Sequence, residues 1–238
     1  MRKELIKIES LSRVFKPEGI NALDNVNLVV EEGECLALIG PSGSGKTTLL
    51  NIVAGVDRPT SGSVRVDGVA VNEMGDRARA AWRHQHVGFI FRTFNLVPVL
   101  TVRENVALPL LLSKLSRQQA RARIDTILEL VGLSRQKDAY PRRLSGEQQQ
   151  RAAIARAMVM EPPLILADEP TGELNAQATE EILTLLGQLH SDWGKTVILA
   201  THDEEVAKYA QTTCHLNKGV CVEAETLIGR AYGLPEFR

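Results

Sequence analysis

Hydrophobic and polar positions change their spacing along the chain, which predicts a β-rich start, a helical middle and an alternating end. Two half-buried strands are predicted over residues 5–11 and 22–30, with turns at Gly19 and at residues 31–33. The continuous apolar run Cys35–Ile39 predicts a buried strand, and residues 64–66 predict another strand with a turn at 67–68.

The middle and the end of the chain have different periods. Helical spacing of apolar residues predicts a helix over residues 117–131, and a second helix is predicted over 147–160. Strands are predicted over 164–167 and 196–200, separated by a helix from about 178 to 190. Strand, helix and strand in this order predict a parallel sheet, and such sheets bind ligands at the carboxyl ends of their strands.

Composition narrows the class of protein. A chain of 238 residues is long enough for one large α/β domain, and its net charge of −1 argues against a nucleic-acid partner. The longest apolar run, residues 106–112, contains Pro109 and is too short to cross a bilayer, and residues 1–7 lack the apolar region of a signal peptide. We therefore expect a soluble cytoplasmic protein, in which Cys35, Cys214 and Cys221 are reduced structural thiols.

A phosphate-binding loop directly follows the strand Cys35–Ile39. Residues 40–47 fit the pattern G-x-x-x-x-G-K-[ST], whose glycines let successive backbone N–H groups turn toward phosphate oxygens. Lys46 is expected to reach the β- and γ-phosphates, and the Thr47 hydroxyl to ligate Mg²⁺. The predicted nucleotide-binding residues of this loop are Gly40, Pro41, Ser42, Gly43, Ser44, Gly45, Lys46, Thr47 and Thr48.

Two adjacent carboxylates end the later apolar strand. Asp168 has the position of an acid that holds Mg²⁺ through its water shell, and Glu169 that of a general base for the attacking water. By itself, Asp-Glu-Pro after a strand is typical of an ordinary polar turn. Together with the phosphate-binding loop, it predicts a two-part site for nucleotide hydrolysis.

A third segment begins a helix with a Ser-Gly pair. Its hydroxyl and free N–H groups could serve an anion or simply cap the helix. The segment consists of Leu144, Ser145, Gly146, Glu147 and Gln148, followed by residues 149–151. The segment lies between the phosphate-binding loop and the Asp168 strand, and it resembles the signature motif of ATP-binding cassette (ABC) ATPases. The resemblance spans nearly the whole chain, and the motifs follow one another in the family's order.

The resemblance implies an α/β fold. It consists of a P-loop NTPase core with a mainly parallel sheet, an N-terminal antiparallel β subdomain and a helical subdomain. Residues 1–238 would form one domain, with the core in about 1–91 and 161–238 and the helical subdomain in about 92–160. Phe15 looks like the residue that stacks on adenine, and His202 like the histidine that senses the γ-phosphate. Leu174 and Asn175 lie in a segment that resembles the inter-subunit loop.

The family's assembly is a head-to-tail dimer that binds ATP and Mg²⁺. Ser145 and Gly146 of one subunit would close over ATP held by the other, with Lys46, Glu169 and His202 in catalysis. The motor would drive a separate integral membrane permease, docked near residues 92–104 on the cytoplasmic face of the cell membrane. Residues 87–106 resemble the ATPases of lipoprotein-release and macrolide-export systems. The apolar run 94–100 fits either a docking surface or core packing.

Three positions depart from the family pattern. Arg92 stands where the coupling loop usually carries a glutamine that helps ligate Mg²⁺. At ~5 Å, with an effective dielectric of ~20, its repulsion of the ion would be roughly 6 to 7 kcal/mol before phosphate screening, so Arg92 should turn away or bind phosphate. Asn175 replaces an aspartate, and Glu147 replaces the second signature glycine. These changes predict slow or partner-dependent hydrolysis.

Other classes of nucleotide-binding protein share the phosphate-binding loop, among them GTPases and small-molecule kinases. Guanine-specific proteins need an Asn-Lys-x-Asp motif, and residues 217–220 lack its final acid, which argues against a GTPase. An ATP-binding scaffold or regulator with little turnover is compatible with Arg92 and Asn175. Glu169 and His202 favour an ATPase, because a binding module has no need of a water-activating carboxylate. Residues 223–238 predict a surface strand or helix without an assigned role.

Overall fold

The computed structural model describes residues 3–17 and 19–226. Residues 223–226 complete the last strand, and the remainder of the predicted C-terminal surface element, from residue 227 onward, lies outside the described residues. Within the described residues, no helix combines the length and the apolar character needed to span a membrane.

The N-terminal sheet is antiparallel, as the sequence predicts. Its strands are β1 (Glu4–Phe15), β2 (Ile20–Glu31), β4 (Ser61–Val66) and β5 (Val69–Ala70), in the order β2-β1-β4-β5. Alternation along β1 buries Ile6 and Ile8 beneath the sheet, where they join a core with Leu36 and Leu38 of the strand Cys35–Ile39 in the second sheet.

The central sheet is mainly parallel. It contains β3 (Cys35–Ile39), β6 (Val87–Ile90), β7 (Leu164–Asp168), β8 (Thr196–Thr201), β9 (Thr212–Asn217) and β10 (Val220–Thr226), in the order β10-β9-β3-β8-β7-β6. Only β10 runs antiparallel to its neighbour. Because β8 lies between β3 and β7, the loops that follow these three strands meet at one edge of the sheet.

Seven α-helices surround the sheets in the described part of the chain. They are α1 (Lys46–Val53), α2 (Asp76–His86), α3 (Val102–Ala107), α4 (Arg117–Leu130), α5 (Gly146–Met158), α6 (Ala176–Ser191) and α7 (Glu204–Ala207). The predicted helices agree with α4, α5 and α6 to within two residues. Thr101, Ser116 and Ser145 begin α3, α4 and α5 with capping boxes, in which side chain and backbone satisfy each other's hydrogen bonds.

Hydrophobic packing covers both faces of the central sheet. Leu36 and Leu38 face the antiparallel strands and α1, while Cys35 and Ala37 face the core formed with α3 to α6. This double coverage explains why β3 reads as a continuous apolar run. Burial raises the pKa of the Cys35 thiol to about 12, which keeps it protonated, and no cysteine of the described chain is in a disulfide.

Candidate functional site

The loop between β3 and α1 is enclosed by backbone from other strands. A Cβ on Gly40 would lie 2.2 Å from the Leu216 carbonyl oxygen of β9. Gly45 has a φ of 107°, and a Cβ there would lie 2.4 Å from the Ala22 carbonyl oxygen of β2. Only glycine fits at these two positions, so close packing as well as loop conformation requires them.

Lys46 lies beneath this loop, with 6% of its side chain exposed. Its Nζ donates to the Gly40 carbonyl at 2.6 Å and to the Pro41 carbonyl at 3.2 Å, and lies 3.7 Å from Glu169 Oε1. The ammonium therefore sits among oxygen acceptors, where phosphate oxygens could replace the loop carbonyls. Around it, Pro41, Ser42, Gly43 and Thr47 are exposed, whereas Gly40, Gly45 and Thr48 are partly buried and Ser44 is buried.

Asp168 ends β7 opposite the phosphate-binding loop. Its Oδ2 accepts a 2.8 Å hydrogen bond from the Thr47 hydroxyl, while its Oδ1 is buried without a hydrogen-bond partner. Burial raises the pKa of the Asp168 carboxyl, and the neighbouring Glu169 charge adds to the increase. The Thr47 hydrogen bond and the Lys46 and Arg92 charges oppose it.

This carboxylate and hydroxyl fit Mg²⁺. Asp168 Oδ1 is buried without a hydrogen-bond donor, so it is available to a cation. Asp168 and Thr47 both offer oxygen ligands, which Mg²⁺ prefers. The described chain contains no cluster of three or more His, Cys, Asp or Glu side chains able to hold a metal. A Mg²⁺ ion here would therefore need most of its ligands from phosphate and water.

Glu169 and His202 meet across the ends of β7 and β8. His202 Nδ1 lies 2.8 Å from Glu169 Oε2 and 2.9 Å from Oε1. Glu169 has a φ of 48°, a conformation that costs a non-glycine residue about 1 to 3 kcal/mol, and its N–H donates to the Ala200 carbonyl at 2.9 Å. The Glu169 side chain is 15% exposed and lines a cavity of about 560 Å³ together with His202 and Leu174.

The Ser-Gly segment begins α5, separately from this cluster. Ser145 Oγ accepts from the Gln148 N–H at 3.2 Å, and Gln148 Oε1 accepts from the Ser145 N–H at 3.1 Å. Glu147 is held back along its own helix by an ion pair with Arg151. Leu144 is buried. Within the described residues, no hydrogen bond or ion pair joins this segment to the phosphate-binding loop.

The loop after Glu169 connects the site to α6. Asn175 Oδ1 accepts from the Ala178 N–H at 2.9 Å and caps α6, a role for which asparagine equals aspartate. Leu174 packs against the core beside Gly146. Arg92 lies over Gly172, and its Nε donates to Glu173 Oε1 at 3.0 Å, so its guanidinium is directed to this loop.

The apolar run 94–100 combines both predicted environments. Leu96 packs against the core, whereas Val99 is 76% exposed. The backbone of Phe94 and Asn95 is held by Arg156, whose guanidinium donates to both carbonyls. The segment is therefore fixed to α5 and presents part of its apolar surface outward.

Sequence reasoning missed three polar residues next to the predicted site. Arg13 lies with its Cζ 4.5 Å from the centroid of the Phe15 ring, and Asp57 holds Arg13 in an ion pair. Gln150 is fully buried, and its Nε2 donates to the Pro170 carbonyl at 2.6 Å. Only Gln150 carried a signal, because a glutamine next to the apolar face of a helix predicts a buried polar partner.

Comparisons with known proteins show which family the chain belongs to. The family model described as ABC transporter matches residues 23–172, which is more than half of the chain. The chain belongs to the ABC transporter family. Within that family it is an ATP-binding subunit and an ATPase, and the predicted fold and motor function are confirmed.

Individual relatives cover most of this ABC protein. It is 44% identical over 220 residues to the uncharacterized ABC transporter ATP-binding protein YvrO of Bacillus subtilis, covering 92% of this chain and 96% of YvrO. The lipoprotein-releasing system ATP-binding protein LolD of Geobacter metallireducens is 44% identical over 200 residues, covering 84% and 89%.

A solved structure has the same fold. The dimeric, ADP- and Pi-bound post-hydrolysis structure of the cassette MJ0796, from Methanocaldococcus jannaschii, matches with a TM-score of 0.87 at 41% identity. The match covers 94% of this chain and 99% of that one.

Proposed function

We propose that this ABC protein hydrolyses Mg²⁺-bound ATP at the edge where β3, β7 and β8 end. The observation that carries the proposal is the meeting of the phosphate-binding loop with the end of β7: Lys46 Nζ lies 3.7 Å from Glu169 Oε1, and the Thr47 hydroxyl donates to Asp168 Oδ2 at 2.8 Å. The one-domain organisation with a helical subdomain over about 92–160 belongs to the same proposal.

Each group has a defined task in this mechanism. The N–H groups of the phosphate-binding loop and the Lys46 ammonium bind the phosphates and stabilise the charge that develops on them. Thr47 and Asp168 would hold Mg²⁺, which supplies further positive charge to the β- and γ-phosphates. Glu169 orients the attacking water and accepts its proton, while His202, within hydrogen-bond distance, fixes the carboxylate.

We further propose that two copies of the chain complete each site. Ser145 and Gly146, with Leu144, Glu147 and Gln148, would contact ATP bound to the partner subunit, and Leu174 and Asn175 would lie at the interface. The dimeric form of MJ0796 supports this assembly. ATP binding would favour the closed dimer and hydrolysis would release it, since ATP contacts both subunits only in the closed state.

The partner that receives this motion would be an integral membrane permease. The exposed apolar residues Val99, Leu111 and Leu112 support a docking surface near the coupling loop that contains Arg92. The protein would then work as a peripheral subunit on the cytoplasmic face of the cell membrane. The identity to LolD supports a role in a lipoprotein-release or macrolide-export type of system.

Mg²⁺-dependent ATP hydrolysis by Glu169→Gln tests the mechanism, with light scattering used to record oligomeric state. Loss of turnover together with an ATP-dependent dimer of Glu169→Gln is the expected result. Glu129→Gln is the matched control, because it makes the same change on an exposed position of α4. ATP binding without turnover in the unchanged protein would favour the scaffold alternative, or a motor that runs only with its membrane partner.

Membrane fractionation of cells tests the docking surface. The unchanged protein should sediment with membranes and be released by high salt or detergent, whereas Val99→Asp should move to the soluble fraction. The purified Val99→Asp protein should keep its basal ATPase rate, because Val99 is exposed. Equal membrane binding by both proteins would argue against docking through this segment.

A further inference from the structure

We propose that Arg13 is a positioning residue that holds the Phe15 ring as a platform for adenine. The inference rests on the proposed role of Phe15 and extends it to two residues, Arg13 and Asp57. The Arg13 guanidinium carbon lies 4.5 Å from the centroid of the Phe15 ring, within the range of a cation–π interaction.

Arg13 is itself held in a fixed orientation. Its Nε donates to Asp57 Oδ2 and its Nη2 to Asp57 Oδ1, both at 3.0 Å, so the pair is bidentate. The side chains of Arg13 and Asp57 are only 24% and 29% exposed, which reduces screening by solvent. A planar guanidinium bound through two parallel hydrogen bonds has little rotational freedom, and the ring beside it is restrained in turn.

Local strand geometry brings Arg13 and Phe15 to the same side. Residues i and i+2 of a strand share a face, and the pairing of β1 with β2 shifts register on both sides of Arg13. Such bulges redirect side chains near the end of a strand. The strand β2, which pairs with β1, is also close to the phosphate-binding loop. Ala22 and Leu23 of β2 lie directly beside Gly45, where a Cβ would clash with both residues.

Asp57 connects the platform to the phosphate-binding helix. It follows the C-terminal end of α1, and its N–H donates to the Asn51 carbonyl of that helix at 3.1 Å. The same helix begins at Lys46. The series Phe15, Arg13, Asp57 and α1 therefore fixes the base platform relative to the phosphate-binding loop.

The consequence is specific to the base half of the nucleotide. One face of the Phe15 ring is covered by the guanidinium, which leaves the other face for a stacked purine. Loss of the guanidinium frees the ring, so a base must order it on binding. Phosphate binding by the loop and Lys46 does not involve the ring and should be unaffected.

Binding of ATP and of inorganic tripolyphosphate, each with Mg²⁺, to the full-length protein tests the proposal by calorimetry. Arg13→Met keeps an unbranched apolar side chain but removes the positive charge and the two N–H groups that bind Asp57. It should weaken ATP binding about three- to fivefold and leave tripolyphosphate binding unchanged. Lys7→Met is a change of the same kind on β1, at a half-buried lysine that pairs with Glu9, and it should alter neither affinity.

Two further variants separate the possible failures. Phe15→Leu should weaken ATP but not tripolyphosphate, and adding Arg13→Met to it should cause no further loss. If Phe15→Leu leaves ATP affinity unchanged, the proposed adenine role of Phe15 is wrong. If Phe15→Leu weakens ATP and Arg13→Met does not, only the positioning role fails. Equal losses for both ligands in Arg13→Met would indicate general structural damage and overturn the proposal.

Asp57→Asn supplies an independent variant should Arg13→Met fold poorly. It leaves the guanidinium in place but removes the charged, bidentate partner that orients it. We expect a smaller, base-specific loss of ATP affinity in the same direction. An unchanged ATP affinity in Asp57→Asn would contradict the anchoring of Arg13 through Asp57.

Discussion

Replacing Asp168 by asparagine should stabilise the nucleotide-free protein while abolishing ATP hydrolysis. In the structure, Asp168 Oδ1 is buried without a partner, and burial raises the pKa of the carboxyl. The carboxylate is therefore held in an environment that disfavours its charge. Asparagine removes that charge and keeps an oxygen able to accept the Thr47 hydrogen bond.

The expected change in the free energy of unfolding follows from the missing hydrogen bond of Asp168 Oδ1. A buried polar group without a hydrogen-bond partner costs about 1 to 3 kcal/mol. The asparagine amide leaves part of this cost in place, so we expect a gain of about 1 kcal/mol in the free energy of unfolding. For a protein of this size, that gain raises Tm by roughly 2 to 4 °C.

The stabilisation should depend on pH with a defined sign. Because the folded-state pKa of Asp168 is raised above its unfolded value of about 3.9, the ionised carboxyl destabilises the fold at pH values above its folded-state pKa. The cost disappears as the pH falls through the folded-state pKa to the unfolded one. The difference in Tm between Asp168→Asn and the unchanged protein should therefore be largest near neutral pH and vanish toward pH ~4.

Thermal unfolding without nucleotide or Mg²⁺, from neutral pH down to the lowest pH at which the protein stays folded, measures this difference. Asp24→Asn is the matched control, because Asp24 is exposed and the change in net charge is the same. Addition of Mg²⁺ and ATP should raise Tm less in Asp168→Asn than in the unchanged protein. A lower Tm for Asp168→Asn at neutral pH, or a gain equal to that of Asp24→Asn, would refute the reasoning.

Three further predictions concern neighbouring elements. Arg92→Gln should raise the ATP turnover of the isolated protein, and an unchanged turnover would show that Arg92 is not inhibitory. The half-exposed ion pair between Arg92 and Glu173 should contribute at most about 1 kcal/mol to the free energy of unfolding. Gln150→Leu should lower the free energy of unfolding in urea by about 1 to 3 kcal/mol, because the Pro170 carbonyl loses its donor. Thr101→Ala should cost about 1 kcal/mol in the same assay through loss of the α3 cap, whereas Thr101→Ser should restore it.

Local sequence determined the elements whose signals lie within a few residues. The phosphate-binding loop is defined by a buried strand followed by glycines and Lys46 at fixed spacing. Residues 40–47 were therefore enough to predict it. The helix α2 escaped prediction, because its exposed face is charged and only Arg79 and Trp82 are buried. The strand β9 was also missed, although it completes the wall behind Gly40, and only residues 223–226 of β10 fall within the predicted surface element.

Tertiary structure alone decided which distant side chains touch. Arg13 and Asp57 are 44 residues apart, and neither residue type predicts the other as a partner. Arg92 likewise found Glu173, 81 residues away, because the loops after β6 and β7 follow neighbouring parallel strands. The sequence therefore identified the chemical groups of this ABC protein, since they belong to short motifs, whereas strand order decided their contacts, since it joins residues that the chain separates.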